Sequence, residues 1–127
     1  MGEPKDGITE KIIGAAITVH RQLGPGLLES TYEACLCFEL RDLGMMVERQ
    51  KELPVFYRGN RMECAYRLDL LVENRVVVEL KSVDALIPIH MAQLLSYLKL
   101  SGRSVGLLIN FNVLKLIDKV KRIVNNY

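Results

Sequence analysis

The chain lacks most of the features that mark specialised classes of protein. It has no tryptophan, aromatic residues make up 6% of it, and its apolar runs are too short for a transmembrane helix. The three cysteines, Cys35, Cys37 and Cys64, are an odd number without a Cys-x-x-Cys spacing. That pattern argues against a zinc site and favours reduced thiols. Because residues Met1 to Asp6 also lack the apolar core of a signal peptide, we expect a cytoplasmic protein with no membrane partner.

Neither sign of charge dominates the chain. Its 17 Lys and Arg residues against 15 Asp and Glu residues leave a net charge of +2. Many dedicated nucleic-acid binders have a pI above about 9 and clustered basic faces, and this chain does not reach that level. With so few aromatic residues, base stacking is not an evident device. Half of the 127 residues are hydrophobic and a quarter are charged, so we expect residues 1–127 to form one globular domain.

Apolar periodicity and chain breakers predict the order of the secondary structure. Helical spacing covers residues 9–23, 27–43 and 88–100, and strand patterns cover 45–57, 64–72, 76–83 and 105–110. A further strand is favoured in 119–124, where the periodicity is ambiguous. The order ααβββαβ with this extra C-terminal strand predicts an α/β fold in which helices flank a mixed β-sheet.

Two acids and a lysine interrupt an otherwise mostly apolar stretch between Tyr66 and Lys81. Asp69 and Glu79 are the acids, and Lys81 follows two residues after the second. Burying an ionised carboxylate costs several kcal/mol unless something compensates it. The economical compensation is a divalent metal held by oxygen ligands, with the lysine beside it. The alternatives are a solvated sheet face for the acids and a simple ion pair for Lys81.

The register of the predicted hairpin decides whether the acids meet. Residues 73–75 read as a three-residue loop, which pairs Val72 with Val76 and therefore Asp69 with Glu79. Lys81 stays on the same face because side chains alternate along a strand, whereas a two-residue loop would separate the acids. Leu71 and Val77 share the acidic face, which argues that a helix covers it. The opposite face is predicted to be aliphatic and to consist of Leu68, Leu70, Val72, Val76, Val78 and Leu80.

With these elements in place, the pattern resembles the PD-(D/E)XK nuclease superfamily, whose restriction-endonuclease-like core has the order αβββαβ. Its Asp on the second strand corresponds to Asp69, and its acid-x-Lys on the third strand corresponds to Glu79 and Lys81. Gln93 and Tyr97 look like the Gln-x-x-x-Tyr signature of the lambda-exonuclease and RecB-like branch. The motifs stand in the superfamily's order on the expected elements, and the general pattern covers nearly the whole chain.

A second resemblance lies at the start of the second predicted helix. The stretch Gly26-Leu-Leu-Glu-Ser-Thr-Tyr32 matches the motif that names the GxxExxY family, small stand-alone proteins placed in the same superfamily. One departure from the superfamily pattern is visible, since Leu68 stands where a proline often precedes the Asp.

The resemblance implies a metal-dependent nuclease. Mg²⁺ or Mn²⁺ would be held by Asp69, Glu79, the Leu80 carbonyl and Glu29, with water filling the remaining positions. Lys81 would orient or deprotonate the attacking water and stabilise the charge of the transition state. Cleavage is expected to leave a 5′-phosphate. For Glu29 the alternative is an ordinary acid at a helix N-terminus, favoured by the helix dipole.

The resemblance also assigns roles on the third predicted helix. Gln93 would contact the site or a phosphate, and Tyr97, one turn later on the same face, would line it. His90 lies on that face too, but we interpret it as a rim or capping residue. Tyr32 is interpreted as a core residue.

Basic residues on the first two strands and in the tail are candidate phosphate contacts if they lie near the acids, although a solvated face is the default. They are Arg49, Lys51, Arg58, Arg61, Arg67, Lys119, Lys121 and Arg122. Two alternatives to the enzyme stay open. One is a catalytically inactive nuclease-fold module that binds nucleic acid or a protein partner, and the other is a homodimer or larger homo-oligomer that pairs through its aliphatic tail.

Overall fold

The computed structural model describes residues 7–125, apart from the side chain of Asp118. The stretch Met1 to Asp6, on which the signal-peptide expectation rests, lies outside the described residues. The elements are α1 (Ile8–Leu23), α2 (Glu29–Asp42), β1 (Val47–Tyr57), β2 (Asn60–Val72), β3 (Val76–Lys81), α3 (Pro88–Ser101), β4 (Val105–Asn110), a 3₁₀ turn (Leu116–Lys119) and β5 (Val120–Val124). Within this described range, no helix is both long and apolar enough to cross a membrane.

The five strands form one mixed sheet in the order β1-β2-β3-β4-β5. Three neighbouring pairs are antiparallel, while β3 and β4 are parallel and are connected through α3. Parallel neighbours need such a crossover, which accounts for the helix between them. The predicted α/β fold is confirmed, and the ambiguous C-terminal segment is a strand.

Helices cover both faces of the sheet. The first cluster of buried side chains joins α1 and α2 to one face, with Ile12, Leu36 and Leu40 against Val78 and Ile109. The second cluster joins α3 to the other face.

Close packing of α3 on β4 explains one glycine within the sheet. A Cβ atom at Gly106 would lie 2.9 Å from the Leu94 side chain of α3, so any larger residue would force Leu94 to move.

The β2–β3 hairpin has the predicted register. Its described pairs are Leu70 with Val78, Leu71 with Val77 and Val72 with Val76. The intervening loop has three residues, of which Glu73 and Asn74 are in the left-handed region. Leu71 and Val77 pack against Leu94 and Leu98 of α3, so the expected helical cover over the acidic face is confirmed.

The position of Leu68 differs from the prediction that side chains alternate regularly along β2. It belongs with Leu71 and Val77 in the cluster beneath α3, rather than with Leu70 on the opposite face. The physical reason is that β2 departs from regular pairing at Asp69, where the ladder to β3 ends. On the other side of β2, Gln50 of β1 has a φ of 50° and is missing from the regular β1–β2 register.

The β1–β2 hairpin is longer than its neighbours and extends beyond the rest of the sheet. Pairing with β3 involves only residues 70–72 of β2, whereas pairing with β1 continues to Tyr57 and Asn60. We call residues 53–66 the arm. Its tip is the tight turn Arg58-Gly59, with both residues at positive φ, as hairpin turns of this length prefer. Most arm side chains are exposed, including Phe56, Tyr57 and Tyr66.

Tyr32 has the structural role that its position in α2 predicts. Its ring is fully buried and stacks on Phe111, with ring centroids 4.5 Å apart. Its hydroxyl donates to the Gly24 carbonyl at 2.6 Å and accepts from the Leu27 backbone N–H at 3.1 Å. These bonds close the turn that precedes α2.

We expect Tyr32→Phe to lower the free energy of unfolding by about 1–3 kcal/mol, because it leaves a backbone donor and acceptor without their partner. Urea denaturation followed by circular dichroism would measure the loss. Tyr57→Phe, at an exposed position in the arm, is the matched control. Equal stability of the two variants would contradict the structural role of the Tyr32 hydroxyl.

Candidate functional site

The site lies where β2 and β3 separate. At this point carboxylates take the place of ladder partners: the Asp69 backbone N–H donates to Oε2 of Glu79 at 2.9 Å, and the Leu80 N–H donates to Oδ2 of Asp69 at 2.8 Å. Each acid is therefore held against the opposite strand by a backbone hydrogen bond. The structure brings together the two acids that the predicted register paired.

Burial and mutual repulsion shape the electrostatics of this pair. Burial, followed by the negative charge of Asp69, raises the pKa of Glu79 to about 8, although the Asp69 N–H and the charge of Lys81 oppose the change. Burial also raises the pKa of Asp69, and the charges of Glu33 and Glu29 add to this effect. At both Asp69 and Glu79, the charges of neighbouring carboxylates thus add to the effect of burial, which favours binding of a cation or of protons.

Lys81 and the Leu80 peptide border the same gap. Lys81 is half-buried at the end of β3, and its charge lowers the pKa of Glu79. The Lys81 carbonyl accepts from the Phe111 N–H at 2.9 Å, on the β4 side. Since backbone groups alternate in direction along a strand, the Leu80 carbonyl is directed toward β2 and the gap. Leu80 is thus oriented as a predicted backbone ligand would need to be.

Glu29 lies at the rim of this space. It is the first residue of α2, its side chain is exposed, and its Oε2 receives a long contact of 3.4 Å from the Ser82 N–H. Ser82 also donates from its hydroxyl to the Leu27 carbonyl at 2.7 Å, which ties the end of β3 to the turn before α2. Glu29 is near enough to raise the pKa of Asp69, but the described hydrogen bonds place its carboxylate on Ser82.

Open grooves border Glu29 on the outer side. One, of about 610 Å³, is lined by Gly26, Leu27, Leu28, Thr31, Ser82 and Asn112. A second, of about 400 Å³, is lined by Leu27, Leu28, Glu29, Ser30 and Ser82. The rim of the acidic gap at Glu29 therefore adjoins open space through which a ligand could reach it.

Glu33 and Gln50 were not predicted. Glu33 is buried, forms an ion pair with Arg49 (3.1 Å) and accepts from Nε2 of Gln50 at 2.8 Å. The same Nε2 lies 3.4 Å from Oδ1 of Asp69. The sequence contains a signal for Glu33, because this residue follows Glu29 by four positions and therefore shares its helix face. Gln50 had none, because its position depends on the register between β1 and β2.

Of the residues predicted on α3, Tyr97 comes nearest to the acids. It is half-buried, its ring meets that of Tyr66 edge-on at 6.1 Å, and after burial the charge of Glu79 contributes most to raising the pKa of its hydroxyl. Gln93 is exposed one turn earlier on the same helix face. His90 accepts from the Ile87 N–H at 3.1 Å through Nδ1, which confirms the predicted capping role.

The candidate basic residues divide between the arm side of the sheet and its far side. Besides Arg49, three on the arm side contact β1 or neighbouring acids: Lys51 with Glu48, Arg61 with Glu52, and Arg67 with the Gln50 carbonyl. Arg58 lies at the arm tip. The tail residues Lys119, Lys121 and Arg122 lie at or beside β5, two strands away from β3, and Arg122 donates to the Thr9 hydroxyl at 2.8 Å.

The donors at the gap suit a hydrated divalent cation. Across the part of the chain that the structure describes, no three or more His, Cys, Asp or Glu side chains are gathered as a ready-made metal cage. Two carboxylates from adjacent strands do converge, and both have raised pKa values because burial removes them from water. Mg²⁺ is commonly held by one or two carboxylates with water and substrate phosphate completing its shell. The residues at the gap therefore fit such an ion.

Comparison with known proteins agrees with the geometry. A family model described as the PD-(D/E)XK nuclease superfamily matches residues 6–123. No curated protein and no solved structure matched the chain. The matched region contains the three helices, β1 to β4, all of β5 but its last residue, and the gap at Asp69 and Glu79. The chain therefore belongs to the PD-(D/E)XK nuclease superfamily.

Proposed function

We propose that this protein is a metal-dependent nuclease that hydrolyses phosphodiester bonds in nucleic acid. The observation that carries the proposal is the gap between β2 and β3, where the carboxylates of Asp69 and Glu79 are each held by a backbone N–H from the opposite strand. Lys81 borders the same gap from the end of β3. This arrangement offers oxygen ligands and a cationic side chain at one place, as metal-assisted hydrolysis requires.

Each residue at the gap would have a separate role. Asp69, Glu79 and the Leu80 carbonyl would hold Mg²⁺ or Mn²⁺, and Glu29 would add an oxygen from the rim. Bound there, the ion would polarise the scissile phosphate and lower the pKa of water. Lys81 would donate a hydrogen bond to the attacking water or remove its proton, and would offset negative charge in the transition state. The product would carry a 5′-phosphate.

Two substrate contacts are proposed on α3. Tyr97 lies beside the acids and would line the path of the nucleic acid, while Gln93, exposed one turn earlier, would donate to a phosphate oxygen. Both positions agree with membership of the lambda-exonuclease and RecB-like branch, which we also propose.

We further propose that the chain belongs to the GxxExxY family. Gly26 has a φ of 93°, which favours glycine, and Tyr32 closes the same turn through its hydrogen bonds to Gly24 and Leu27. Between them the turn presents Glu29 at the first position of α2. The motif's glycine and tyrosine would thus support the turn that places its glutamate at the rim of the acidic gap.

A cleavage assay tests the proposed function directly. Purified protein would be incubated with Mg²⁺, Mn²⁺ or a chelator and with single-stranded, duplex and branched DNA and RNA. We expect cation-dependent cleavage of at least one substrate, with loss of activity in Asp69→Asn. If no substrate is cut and calorimetry detects no heat from adding either cation, the proposal is wrong.

The arm is the proposed contact for the nucleic-acid backbone. The arm contains two arginines, Arg58 and Arg61, and one acid, Glu63, and Arg67 follows it directly, so the arm and Arg67 together carry a local excess of positive charge. Exposed Phe56 and Tyr57 lie among them and offer stacking surfaces, which the low aromatic content of the whole chain did not suggest.

Replacing Arg58, Arg61 and Arg67 together with alanine is expected to weaken binding of a labelled single strand and to flatten its salt dependence. Each lost phosphate contact removes about 0.7 from the slope of log K against log salt concentration for single strands. Fluorescence anisotropy in the presence of a chelator measures both the affinity and its salt dependence. The double variant Lys119→Ala and Lys121→Ala, altered on the far side of the sheet, is the control. If it weakens binding equally, the arm is not the contact.

One observation favours a catalytically inactive module that binds nucleic acid or a protein. The described residues hold no preformed cage of three acids, and Glu29 contacts Ser82 rather than the acid pair. An inactive module predicts that wild-type protein and Asp69→Ala bind nucleic acid equally well and that neither cuts it. Cation-dependent cleavage by the wild type would exclude this alternative.

A homodimer is a further proposal, supported by the position of β5 at the edge of the sheet. Its aliphatic residues Val120, Ile123 and Val124 could pair with a second copy by extending the sheet. Light scattering of the purified protein would show twice the mass of the chain if this pairing forms, and a monomer if it does not.

A further inference from the structure

Gln50 has a backbone conformation that a strand residue rarely adopts. Among the described residues, four that are not glycine have positive φ angles, and three of them, Arg58, Glu73 and Asn74, belong to hairpin loops. Gln50, with a φ of 50°, lies inside β1. A left-handed conformation is unfavourable at such a residue, because its Cβ atom approaches the following carbonyl oxygen. Such strain persists where the surroundings hold it, and it concentrates at functional sites.

The conformation places Gln50 beside Asp69 without pairing the two backbones. Continuing the β1–β2 register through Arg49–Leu70 and Lys51–Leu68 would pair them, but this pair is missing from the ladder. In place of that pairing, Nε2 of Gln50 reaches Oε1 of Glu33 at 2.8 Å and Oδ1 of Asp69 at 3.4 Å. The amide therefore bridges an acid of α2 and an acid of the candidate metal site.

Both ends of this bridge are fixed. Glu33 is only 6% exposed, and Arg49 holds its other oxygen at 3.1 Å. Asp69 has its second oxygen on the Leu80 N–H at 2.8 Å. Since both partners of the amide are carboxylates, the nitrogen of Gln50 must face them, because only that end of the side chain donates. A donor therefore lies on each oxygen of Asp69, and together they set the plane of its carboxylate.

We propose that Gln50 is a positioning residue that holds the Asp69 carboxylate in the orientation needed for metal binding. This inference rests on the proposed function, since it assigns Gln50 a task at the same site. Anchored on Glu33, the amide separates two acids that would otherwise repel each other directly. The strained backbone at Gln50 is the cost of bringing the amide to this position from within a strand.

Replacing Gln50 with glycine separates this role from a purely structural one. Glycine adopts positive φ readily, so Gln50→Gly relieves the strain while removing the amide. We expect the relief of strain to offset the loss of the donor to Glu33, so that the free energy of unfolding stays close to that of the wild type. The affinity for Mn²⁺ is expected to be about 10- to 100-fold lower, the usual effect of losing an outer partner of a metal ligand. Isothermal calorimetry and urea denaturation measure the two quantities. A residue that merely tied α2 to β1 would lower stability and leave metal affinity unchanged.

Two further variants complete the test. Gln50→Asn keeps an amide and tolerates the same φ but is one methylene shorter, so it is expected to fold and to lose Mn²⁺ affinity as the glycine variant does. Lys51→Ala, the next residue in β1, removes only a surface contact with Glu48 and should bind Mn²⁺ like the wild type. Wild-type affinity in Gln50→Gly or Gln50→Asn would overturn the proposal.

The structure of metal-free Gln50→Gly distinguishes failure of this inference from failure of the proposed function. We expect the plane of the Asp69 carboxylate to rotate about its remaining hydrogen bond to the Leu80 N–H in the variant, whether or not the wild type cleaves nucleic acid. An unchanged Asp69 overturns the positioning role. A further outcome is that the wild type binds no metal while the Asp69 carboxylate is still displaced in the variant. That result would reject the proposed nuclease function but support the role of Gln50 in positioning Asp69.

Discussion

Lys81→Ala is expected to lower the rate of nucleic-acid cleavage by about 10²- to 10⁴-fold, the usual contribution of a positioned acid or base. The Lys81 side chain borders the acid pair but supplies no oxygen ligand to the metal ion. Its removal should therefore leave Mn²⁺ binding in place, and with one positive charge fewer beside Glu79 the affinity should not fall. The loss belongs to the chemical step rather than to the assembly of the site.

Single-turnover cleavage with saturating Mn²⁺ measures this effect, and calorimetry of the same sample measures metal affinity. Lys99→Ala, at an exposed position on α3, is the matched control and should cleave at the wild-type rate. Lys81→Arg keeps the charge but cannot lose a proton at neutral pH, so its rate reports how much of the effect is proton transfer. Retention of more than about a tenth of the activity in Lys81→Ala would contradict the catalytic assignment.

Glu79→Gln is expected to make the metal-free protein more stable at alkaline pH while abolishing its metal affinity. In the folded protein the pKa of Glu79 is raised from 4.5 to about 8, because the carboxyl is buried beside the charge of Asp69. The folded state thus binds more protons than the unfolded state between these pH values, and wild-type stability falls as the pH rises through that window. Because a tenfold difference in proton affinity between the two states is worth about 1.4 kcal/mol, the stability lost across the window amounts to a few kcal/mol.

Urea denaturation of chelated protein at pH 6 and pH 9 would measure this dependence. The wild type should lose stability between the two values, whereas Glu79→Gln should lose much less because glutamine does not titrate. Adding Mn²⁺ at pH 9 should restore stability to the wild type alone, since the ion replaces the missing proton. Glu63→Gln, exposed on the arm, should behave like the wild type. Equal pH dependence in the wild type and Glu79→Gln would show that Glu79 is not the group responsible.

Prediction from the sequence succeeded where local rules determine the structure. The three-residue loop at 73–75 determined the hairpin register, and with it the meeting of Asp69 and Glu79. A buried parallel strand such as β4 reads as a continuous apolar run, and its bounds matched the prediction. The acid pair was therefore predictable, because it depends on a short turn and on alternation within two adjoining strands.

Prediction failed where the side chains of a strand do not alternate regularly, which occurs beside the candidate site. Leu68 was assigned to the wrong face because β2 breaks its pattern at Asp69, opposite the left-handed Gln50. Glu33 could have been found from its spacing to Glu29, but Gln50 could not. Its place opposite Asp69 requires the β1–β2 register, which shifts between Leu53 and Val55 and leaves no local signal.

Composition also concealed the character of the arm. The chain has few aromatic residues, and counting them gave no reason to expect a stacking surface. In the structure, Phe56, Tyr57 and Tyr66 are exposed on one hairpin, together with three arginines. Tyr66 in turn meets Tyr97, which lies beside the acids. These aromatic and basic side chains are exposed together because the β1–β2 hairpin extends beyond the rest of the sheet. That extension is a property of the tertiary structure and cannot be read from composition.

We expect Asp69 and Glu79 to hold one divalent cation together. Crystals of the wild type soaked in Mn²⁺, with data collected near the manganese absorption edge, test it most directly. We predict an anomalous peak within coordination distance, about 2.2 Å, of oxygens from both carboxylates, and no peak in Glu79→Gln crystals treated in the same way. A wild-type crystal at saturating Mn²⁺ without that peak, with both acids still bonded to the backbone of the opposite strand, would contradict the claim.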